Sequence, residues 1–325
     1  MRIAVLIVNW NAGAHLERAL AAVATQTLPA HRVIVLDNAS TDGSVSGMGR
    51  RPGIELIPLS ENVGFAAGNN IAAGAAADCD WLAFLNPDAF PQPGWLDTLA
   101  AAAHAHPAVT MFASELRLDA DPTTLDGAGD AYHVSGLPWR VGHGQPASLA
   151  PAAPSEAFSP CGAAALVRRD VFEEVGGFDP SFFCYVEDVD LAFRLRLRGH
   201  RCLYVPGAIV RHVGSASTGL RSDFASYHGH RNLVWAWVKN MPAGWVWLYA
   251  PQHLLLTVAS FVRFGASGHL GAIVRAKWDA LRGLPRVLAE RRRVQATRTV
   301  SGRQIVRAMT TGWLTPYRTH LRRRK

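Results

Sequence analysis

The sequence predicts an α/β fold with a mixed, mainly parallel sheet that is flanked by helices. Short apolar runs of strand length alternate with helix-like segments over the first hundred residues, an order typical of parallel sheets. The strand candidates are residues 3–8, 33–37, 54–58 and 81–85, and the helix candidates are residues 15–24 and 65–77. Ligands of such sheets bind beyond the carboxyl ends of the strands, so the polar residues after each apolar run are candidate site residues.

The pattern is less regular further along the chain. Residues 119–160 are rich in Pro, Gly and Ala and carry turn signals, which predicts a long loop. A loop of this length inside a domain is usually functional or mobile. After it we expect a strand at 161–167, helices at 169–175 and 187–197, and strands at 201–205 and 208–210.

Charge divides the chain into two regions. The whole sequence has 33 Lys and Arg against 25 Asp and Glu, a net charge of +8. Residues 1–220 carry 14 basic and 22 acidic side chains (net −8), whereas residues 221–325 carry 19 and 3 (net +16). This asymmetry predicts two functional regions, the second of which is attracted to an anionic surface.

The basic region also contains an apolar, Trp-rich segment. Residues 245–264 have about the length of a membrane span, but Pro251, Gln252 and His253 interrupt its middle. Tryptophans at one end and nearby arginines favour a helix lying at the membrane interface. A homodimer interface, a packed subdomain and a true span remain alternatives. No recognition motif accompanies the charge, so we expect no nucleic-acid partner.

Two features predict a reducing, cytoplasmic compartment. The apolar run at 3–8 is too short for a signal-peptide core and lacks a cleavage site. The four cysteines have no paired spacing, which predicts free thiols.

Two acidic motifs are the strongest indications of chemistry. Asp88, in Asn86-Pro87-Asp88, directly follows the strand candidate 81–85, where a carboxylate can hold a divalent cation on a phosphate. Glu187, Asp188 and Asp190 place three carboxylates in four residues, and such a cluster can supply a general base. A simple turn and helix-dipole acids are the structural alternatives.

Other polar residues lie at predicted strand ends. Asp37 can hydrogen-bond a ribose or a base, or merely cap a turn. Residues 61–70 place glycines and amides before an alanine-rich helix, which fits an anion site or close packing. No Gly-Lys-Ser/Thr follows, which counts against an ATPase. His212 follows a strand candidate and is a possible metal ligand, although a lone histidine is more often structural.

Together these motifs resemble the family 2 glycosyltransferases, and within them the rhamnosyltransferase-like branch of bacterial cell-surface polysaccharide synthesis. The resemblance covers roughly residues 1–240. It is carried by the segments 8–11, 36–43, 62–70, 85–88 and 187–194, in this order.

The resemblance implies a GT-A fold, a nucleotide-diphosphate-sugar donor, a divalent cation (Mg or Mn) and inversion at the anomeric carbon. By position, it implies that Asp188 is the catalytic base, Asp88 and His212 are metal ligands, and Asp37 contacts the nucleoside. The other implied donor-site residues are Asn9, Asn11, Asn38, Asn62, Gly64, Asn69 and Asn86. Glu187 and Asp190 would orient the helix or pair with Arg194. Asn86 replaces the first acid of a full DxD motif, which leaves one carboxylate for the ion.

The expected protein is an inverting, metal-assisted glycosyltransferase on the cytoplasmic face of the plasma membrane. The nucleotide-sugar half would span about 1–115, the acceptor half about 116–220, and membrane contact would involve 233–325. The acceptor would be lipid-linked or a growing surface glycan. dTDP-rhamnose is the favoured donor, with UDP-galactofuranose or UDP-N-acetylglucosamine as alternatives. A nucleotidyltransferase and a non-catalytic sugar-nucleotide-binding protein are the remoter possibilities.

Overall fold

A ten-stranded mixed sheet forms the centre of the protein. The computed structural model describes residues 1–48, 52–214, 222–266, 268–313 and 315. The predicted boundary at 220/221 and the basic run at 322–325 lie outside these residues. The strands are β1 (Ile3–Asn9), β2 (Arg32–Asp37), β3 (Ile54–Pro58), β4 (Trp81–Leu85), β5 (Ala89–Pro91), β6 (Met111–Leu118), β7 (Leu125–Ala128), β8 (Asp130–Tyr132), β9 (Pro138–Arg140), β10 (Ser155–Ala157), β11 (Ala164–Arg168) and β12 (Cys202–His212).

The sheet order is β10-β12-β6-β11-β4-β1-β2-β3, with β5 beside β12 and β7 beside β6; β8 and β9 form a separate hairpin. The four strands predicted near the N-terminus are confirmed, and they pair in parallel. Their register sets Asn9 beside Asp37, so the polar residues that end β1 and β2 lie next to each other at the carboxyl edge of the sheet. β11 runs antiparallel to both β4 and β6, which makes the sheet mixed.

Helices cover both faces of the sheet, as predicted. They are α1 (Ala14–Ala24), α2 (Gly64–Ala75), α3 (Trp95–Ala105), α4 (Arg169–Glu174), α5 (Glu187–Leu197), α6 (Asp223–Asn240), α7 (Trp245–Gly265), α8 (Leu270–Arg282), α9 (Leu284–Ala296) and α10 (Gly302–Arg307). One core lies between the sheet and α1 with α3, and a second lies between the sheet and α2, α4 and α5. β1 is buried along its whole length because both of its faces are covered.

The prediction of a loop over residues 119–160 is wrong in part, because this segment contains β7 to β10. These strands have only three or four residues and no apolar alternation. Pairing with β6 and β12 and within the β8–β9 hairpin forms them, rather than local propensity. The strands predicted at 201–205 and 208–210 are one strand, β12, whose register against β6 shifts between Tyr204 and Ile209.

The C-terminal helices pack against the α/β part. Trp237 of α6 and Ile305 of α10 share an apolar cluster with Phe158, Phe193 and Met241, the residue after α6. In the part of the chain that the structure describes, no helix combines the length and the apolarity that crossing a membrane requires.

Candidate active site

A cavity of about 470 Å³ opens at the carboxyl ends of β1, β2 and β4. α5 and the segment before it form its opposite wall, and His212 closes one side. The sequence-predicted residues that line it are Asn38, Asn62, Gly64, Asn86, Asp88, Glu187, Asp188 and His212. The structure therefore brings both acidic motifs, which are about a hundred residues apart in sequence, to one cavity.

Asn9 and Asp37 lie just beneath the cavity lining. The Asn9 side chain is fully buried, and its amide nitrogen lies within hydrogen-bond distance of Asp37 Oδ1 (3.1 Å), Ser40 Oγ (3.0 Å) and Ser44 Oγ (2.9 Å). Asn11 Oδ1 accepts from the Thr41 backbone N–H (2.8 Å). These bonds fix the turn after β2, and neither Asn9 nor Asn11 lines the cavity.

A chain of amides holds the start of α2. Asn38 Nδ2 donates to Asn62 Oδ1 (2.8 Å), which also accepts from the Gly64 backbone N–H (2.9 Å). Gly64 has φ +84°, and a Cβ there would lie 2.5 Å from the Phe183 ring, so only glycine fits. Asn69 is buried, donates to the Phe65 carbonyl (3.0 Å) and does not line the cavity.

His212 lies between two carboxylates. Its Nδ1 is 2.7 Å from Asp126 Oδ2, and its Nε2 is 3.4 Å from Asp88 Oδ1 without a hydrogen-bond partner among the described residues. Asp126 also contacts Arg140 and His143. The sequence analysis missed Asp126, Arg140 and His143, because Asp126 lies in a Gly-rich stretch interpreted as a turn.

The contacts between Asp126 and His212 favour the charged form of each side chain. Burial alone would raise the pKa of Asp126, but hydrogen bonds with His143 and His212 outweigh it and lower the pKa well below its usual range. Burial alone would lower the pKa of His212, but its hydrogen bond to Asp126 and the negative charge of nearby Asp88 outweigh it and raise the pKa. Asp126 is thus an anionic support that orients the imidazole.

Asp188 lies at the start of α5 with its carboxylate in the cavity wall. Its Oδ2 accepts from the Gly162 backbone N–H (2.7 Å) and its Oδ1 from the Val189 backbone N–H (2.7 Å). Burial raises the pKa of Asp188 in spite of these bonds. Burial, followed by the charge of Asp188, raises the pKa of Glu187 well above its usual value.

The segment before α5 has strained backbone. Phe183, Tyr185 and Val186 have φ of 63°, 69° and 70°, a region that non-glycine and especially β-branched residues rarely occupy. Asn232 of α6 is fully buried, and its Nδ2 lies within hydrogen-bond distance of the carbonyls of Phe182 (2.9 Å), Cys184 (3.0 Å) and Tyr185 (2.8 Å). Such strain persists only where the surroundings enforce it, and it clusters at functional sites.

Asp130 and Cys161 lie beside Asp188. Ligand atoms of these three residues are all within 4.8 Å of one another. The sequence analysis did not single out Asp130 or Cys161, because neither belongs to a recognisable motif. The predicted pair of Asp88 and His212 is not part of this group.

Asp190 points away from the cavity. It is fully buried and contacts Arg194 Nε (2.8 Å), Lys239 Nζ (2.8 Å) and Asn240 Nδ2 (2.7 Å). The predicted pair between Asp190 and Arg194 is therefore confirmed. Lys239 and Asn240 of α6 are partners that helical spacing within α5 could not reveal.

Acidic residues thus meet at the carboxyl edge of a helix-covered mixed sheet, the place where α/β proteins of this kind bind ligands. The model of the family described as glycosyltransferase like family 2 matches residues 1–240. The chain therefore belongs to the family 2 glycosyltransferases.

Curated relatives include rhamnosyltransferases. The chain is 33% identical over 265 residues to the N-acetylglucosaminyl-diphospho-decaprenol L-rhamnosyltransferase of Mycobacterium tuberculosis, covering 74% of this chain and 85% of that protein. It is 23% identical over 295 residues to the O-antigen chain rhamnosyltransferase RfbN of Salmonella typhimurium, covering 83% and 90%.

Solved structures share the fold. GalNAc-T7, crystallised with UDP, GalNAc and Mn²⁺, superposes with a TM-score of 0.63 at 17% identity, covering 78% of this chain and 51%, about half, of that chain. The mannosyltransferase PcManGT of Pyrobaculum calidifontis, in complex with GDP-Man and Mn²⁺, gives 0.52 at 19% identity, covering 94% and 85%. The GT-A fold expected from the sequence is confirmed.

Proposed function

We propose that this protein transfers a sugar, with inversion, from a nucleotide-diphosphate donor to a hydroxyl of a lipid-linked glycan. The observation that carries the proposal is that Asp88 and Asp188 line one cavity at the carboxyl edge of the sheet. Rhamnose from dTDP-rhamnose is the favoured sugar, since two curated relatives are rhamnosyltransferases. The lipid-linked acceptor rests on the name of the mycobacterial relative.

The residues around His212 fit a divalent cation. The buried Nε2 atom has no hydrogen-bond partner among the described residues and faces Asp88 Oδ1 at 3.4 Å. An imidazole nitrogen and a carboxylate oxygen are suitable ligands for Mn²⁺, which two structural neighbours contain. Asp88 and His212 would hold the ion, with Asp126 orienting the imidazole from behind. Such an ion stabilises negative charge on a diphosphate leaving group.

Asp188 is the proposed general base. It removes the proton of the acceptor hydroxyl as that oxygen attacks the anomeric carbon, and the bond to the diphosphate breaks on the opposite face. The amides of Gly162 and Val189 hold the carboxylate in one orientation for this step. Asp37, fixed by Asn9, is proposed to contact the nucleoside, and the amides of Asn38 and Asn62 line the donor side of the cavity.

The test is release of nucleoside diphosphate from a panel of nucleotide sugars with Mn²⁺ and a polyprenyl-diphosphate-linked acceptor. Asp188→Asn is expected to lower turnover by about 10²-fold or more while donor binding, read as a rise in Tm, persists. Asp88→Ala is expected to weaken the Mn²⁺-dependent rise. The exposed Asp97→Asn is the control and should match the wild type. Release of pyrophosphate would instead indicate a nucleotidyltransferase, and unchanged turnover in Asp188→Asn would refute the assignment of the base.

The surface that α7 and α8 expose is proposed to bind the anionic cytoplasmic leaflet of the plasma membrane. Trp247 (80% exposed), Leu254, Val258 and Val262 follow one another at helical spacing on α7, and Val274 and Trp278 continue the apolar surface on α8. Exposed basic side chains on α7, α8 and α9 are Arg263, Arg275, Arg282 and Arg286. Exposed apolar anchors in a strongly basic region suit the interface of an anionic bilayer.

Vesicle co-sedimentation tests this surface. The full chain is expected to bind vesicles containing phosphatidylglycerol, to bind phosphatidylcholine vesicles less, and to be released by salt. The double variant Trp247→Ser/Val262→Ser should bind vesicles more weakly. Leu149→Ser, which removes an exposed leucine outside α7 and α8, should bind like the wild type. Equal binding by both variants would refute the proposal. A dimer that the Trp247→Ser change dissociates would assign the surface to a second copy instead.

A further inference from the structure

Asp130 is a buried carboxylate directly behind the proposed base. It begins β8, is 6% exposed, and its Oδ1 has no hydrogen-bond partner among the described residues. Carboxylate oxygens of Asp130 and Asp188 and the Cys161 thiol lie within 4.8 Å of one another. Asp130 is not part of the cavity lining, whereas Asp188 is. Two carboxylates this close in a buried site cannot both ionise without a large cost.

The groups that face Asp130 do not remove this repulsion. They are Asp188 of α5, Arg140 of β9, Asp126 of β7, and Ser159 and Cys161 before β11. Arg140 attracts both buried acids, but its hydrogen bond goes to Asp126. Burial, followed by the charge of Asp188, raises the pKa of Asp130 to about 8. Near neutral pH the pair therefore keeps a proton.

The hydrogen bonds show which carboxylate carries that proton. Asp188 accepts one backbone N–H on each oxygen, from Gly162 and Val189, and such bonds stabilise the ionised form. Asp130 Oδ1 accepts none among the described residues, and a hydrogen bond with the Ser159 side chain lowers the pKa of Asp130 by less than burial raises it. The negative charge is thus favoured on Asp188 and the proton on Asp130, an arrangement in which neighbouring acids divide their roles by environment.

We propose that Asp130 is a positioning residue that shares one proton with Asp188, so that the pair carries a single negative charge on the carboxylate facing the acceptor. This rests on the proposed function of Asp188 as base. With the proton in place, Asp130 is neutral and does not repel Asp188. The Asp188 carboxylate then keeps its hydrogen bonds from the two backbone amides. When Asp130 ionises, the two anions repel, and Asp188 is displaced from the geometry that proton removal needs.

The expected consequence is an alkaline loss of activity that depends on Asp130. One pH unit above a pKa only about one tenth of a group stays protonated, so wild-type kcat should fall about tenfold from about pH 7 to pH 9. Asp130→Asn keeps the size of the side chain and cannot ionise, so its kcat should stay level over this range. Tyr132→Phe is the matched control, since it removes an unpartnered buried hydroxyl from the same strand and should retain the wild-type profile.

A second readout does not require turnover. The unfolded chain releases the Asp130 proton near pH 4, so between that pH and about 8 the folded protein holds an extra proton and loses stability as the pH rises. The Tm of the wild type should therefore fall relative to that of Asp130→Asn over this range. In Asp188→Asn the fall should end at a lower pH, because the neighbouring charge is gone.

The outcomes separate the two proposals. Parallel Tm profiles for wild type and Asp130→Asn, or an alkaline loss of kcat that persists in Asp130→Asn, would overturn proton sharing. If Asp188→Asn turned over normally while the Tm profiles behaved as expected, the proposed base would be wrong and the acid pair would remain. Level kcat in Asp130→Asn together with inactive Asp188→Asn supports both.

Discussion

Asp190→Asn tests the buried ion network that joins α5 to α6. Asp190 is fully buried, and its carboxylate contacts Arg194, Lys239 and Asn240 at 2.7–2.8 Å. The substitution removes the negative charge while keeping the shape of the side chain. Arg194 and Lys239 then remain buried with one carboxylate fewer beside them. The substitution should therefore lower the free energy of unfolding, and it does not change a residue that lines the cavity.

The size of the effect follows from the partners that remain. Removing one member of a buried ion pair typically costs about 3–5 kcal/mol. Arg194 keeps the carbonyls of Val175 and Gly177 (2.7 Å each), and Lys239 keeps Asp179 (2.6 Å). These remaining acceptors place the expected loss near the lower end, at about 3 kcal/mol. Adding Lys239→Met should cost less than the same change in the wild type, since its ion pair with Asp190 is already lost.

Urea unfolding followed by tryptophan fluorescence measures this change, because Trp237 lies on the same helix as Lys239. Asp170→Asn is the control, since its carboxylate is 65% exposed and pairs with Arg168 at the surface, where such pairs contribute about 0–1 kcal/mol. A loss below about 1 kcal/mol for Asp190→Asn would refute the reasoning. So would a double variant whose two losses simply add, because the pair would then not be coupled.

Three further predictions concern the cavity. Glu187→Gln should leave turnover near pH 7 within about twofold of wild type, because burial raises the pKa of Glu187 and so favours the neutral carboxyl group that glutamine resembles; a kcat measurement checks this. Gly64→Ala should cost about 2 kcal/mol or more in urea unfolding, because φ is +84° and the new Cβ would meet Phe183 at 2.5 Å. Asp126→Asn should lower the pKa of His212, whose strongest favourable partner is lost, and so move its imidazole titration in an NMR pH series to lower pH.

The parts of the fold that follow local patterns were predictable. β1 to β4 were identified because buried parallel strands appear as continuous apolar runs, and α5 because it starts at acids and ends before a glycine. The meeting of Asp88 with Asp188 in one cavity follows from the rule that ligands bind at strand carboxyl ends. These inferences need only sequence-local signals and general topology.

Other site features depend on pairing between distant segments and were not predictable. Asp126, Asp130 and Arg140 lie in short strands whose sequences resemble loop. Only pairing with β6 and within the β8–β9 hairpin brings Arg140 to the cavity lining and sets Asp126 and Asp130 beside His212 and Asp188. Asn9 and Asn69 were expected at the donor, but the structure buries both and does not place them in the lining. Their direct contact with the donor stays a prediction. The observed hydrogen bonds of Asn9 support the turn after β2, and that of Asn69 supports the first turn of α2.

The contacts of α6 explain how a helix beyond the predicted boundary at 220/221 can control the position of Asp188. Asn232 holds the carbonyls of the strained segment that leads into α5, and Lys239 with Asn240 holds Asp190 in the first turn of that helix. Asp188 lies between these two attachments, and its own carboxylate is bound only by backbone amides among the described contacts. α6 thus fixes both sides of the turn that presents the proposed base. α6 also packs on α8, so the helix that holds this turn is in contact with the α7–α8 surface.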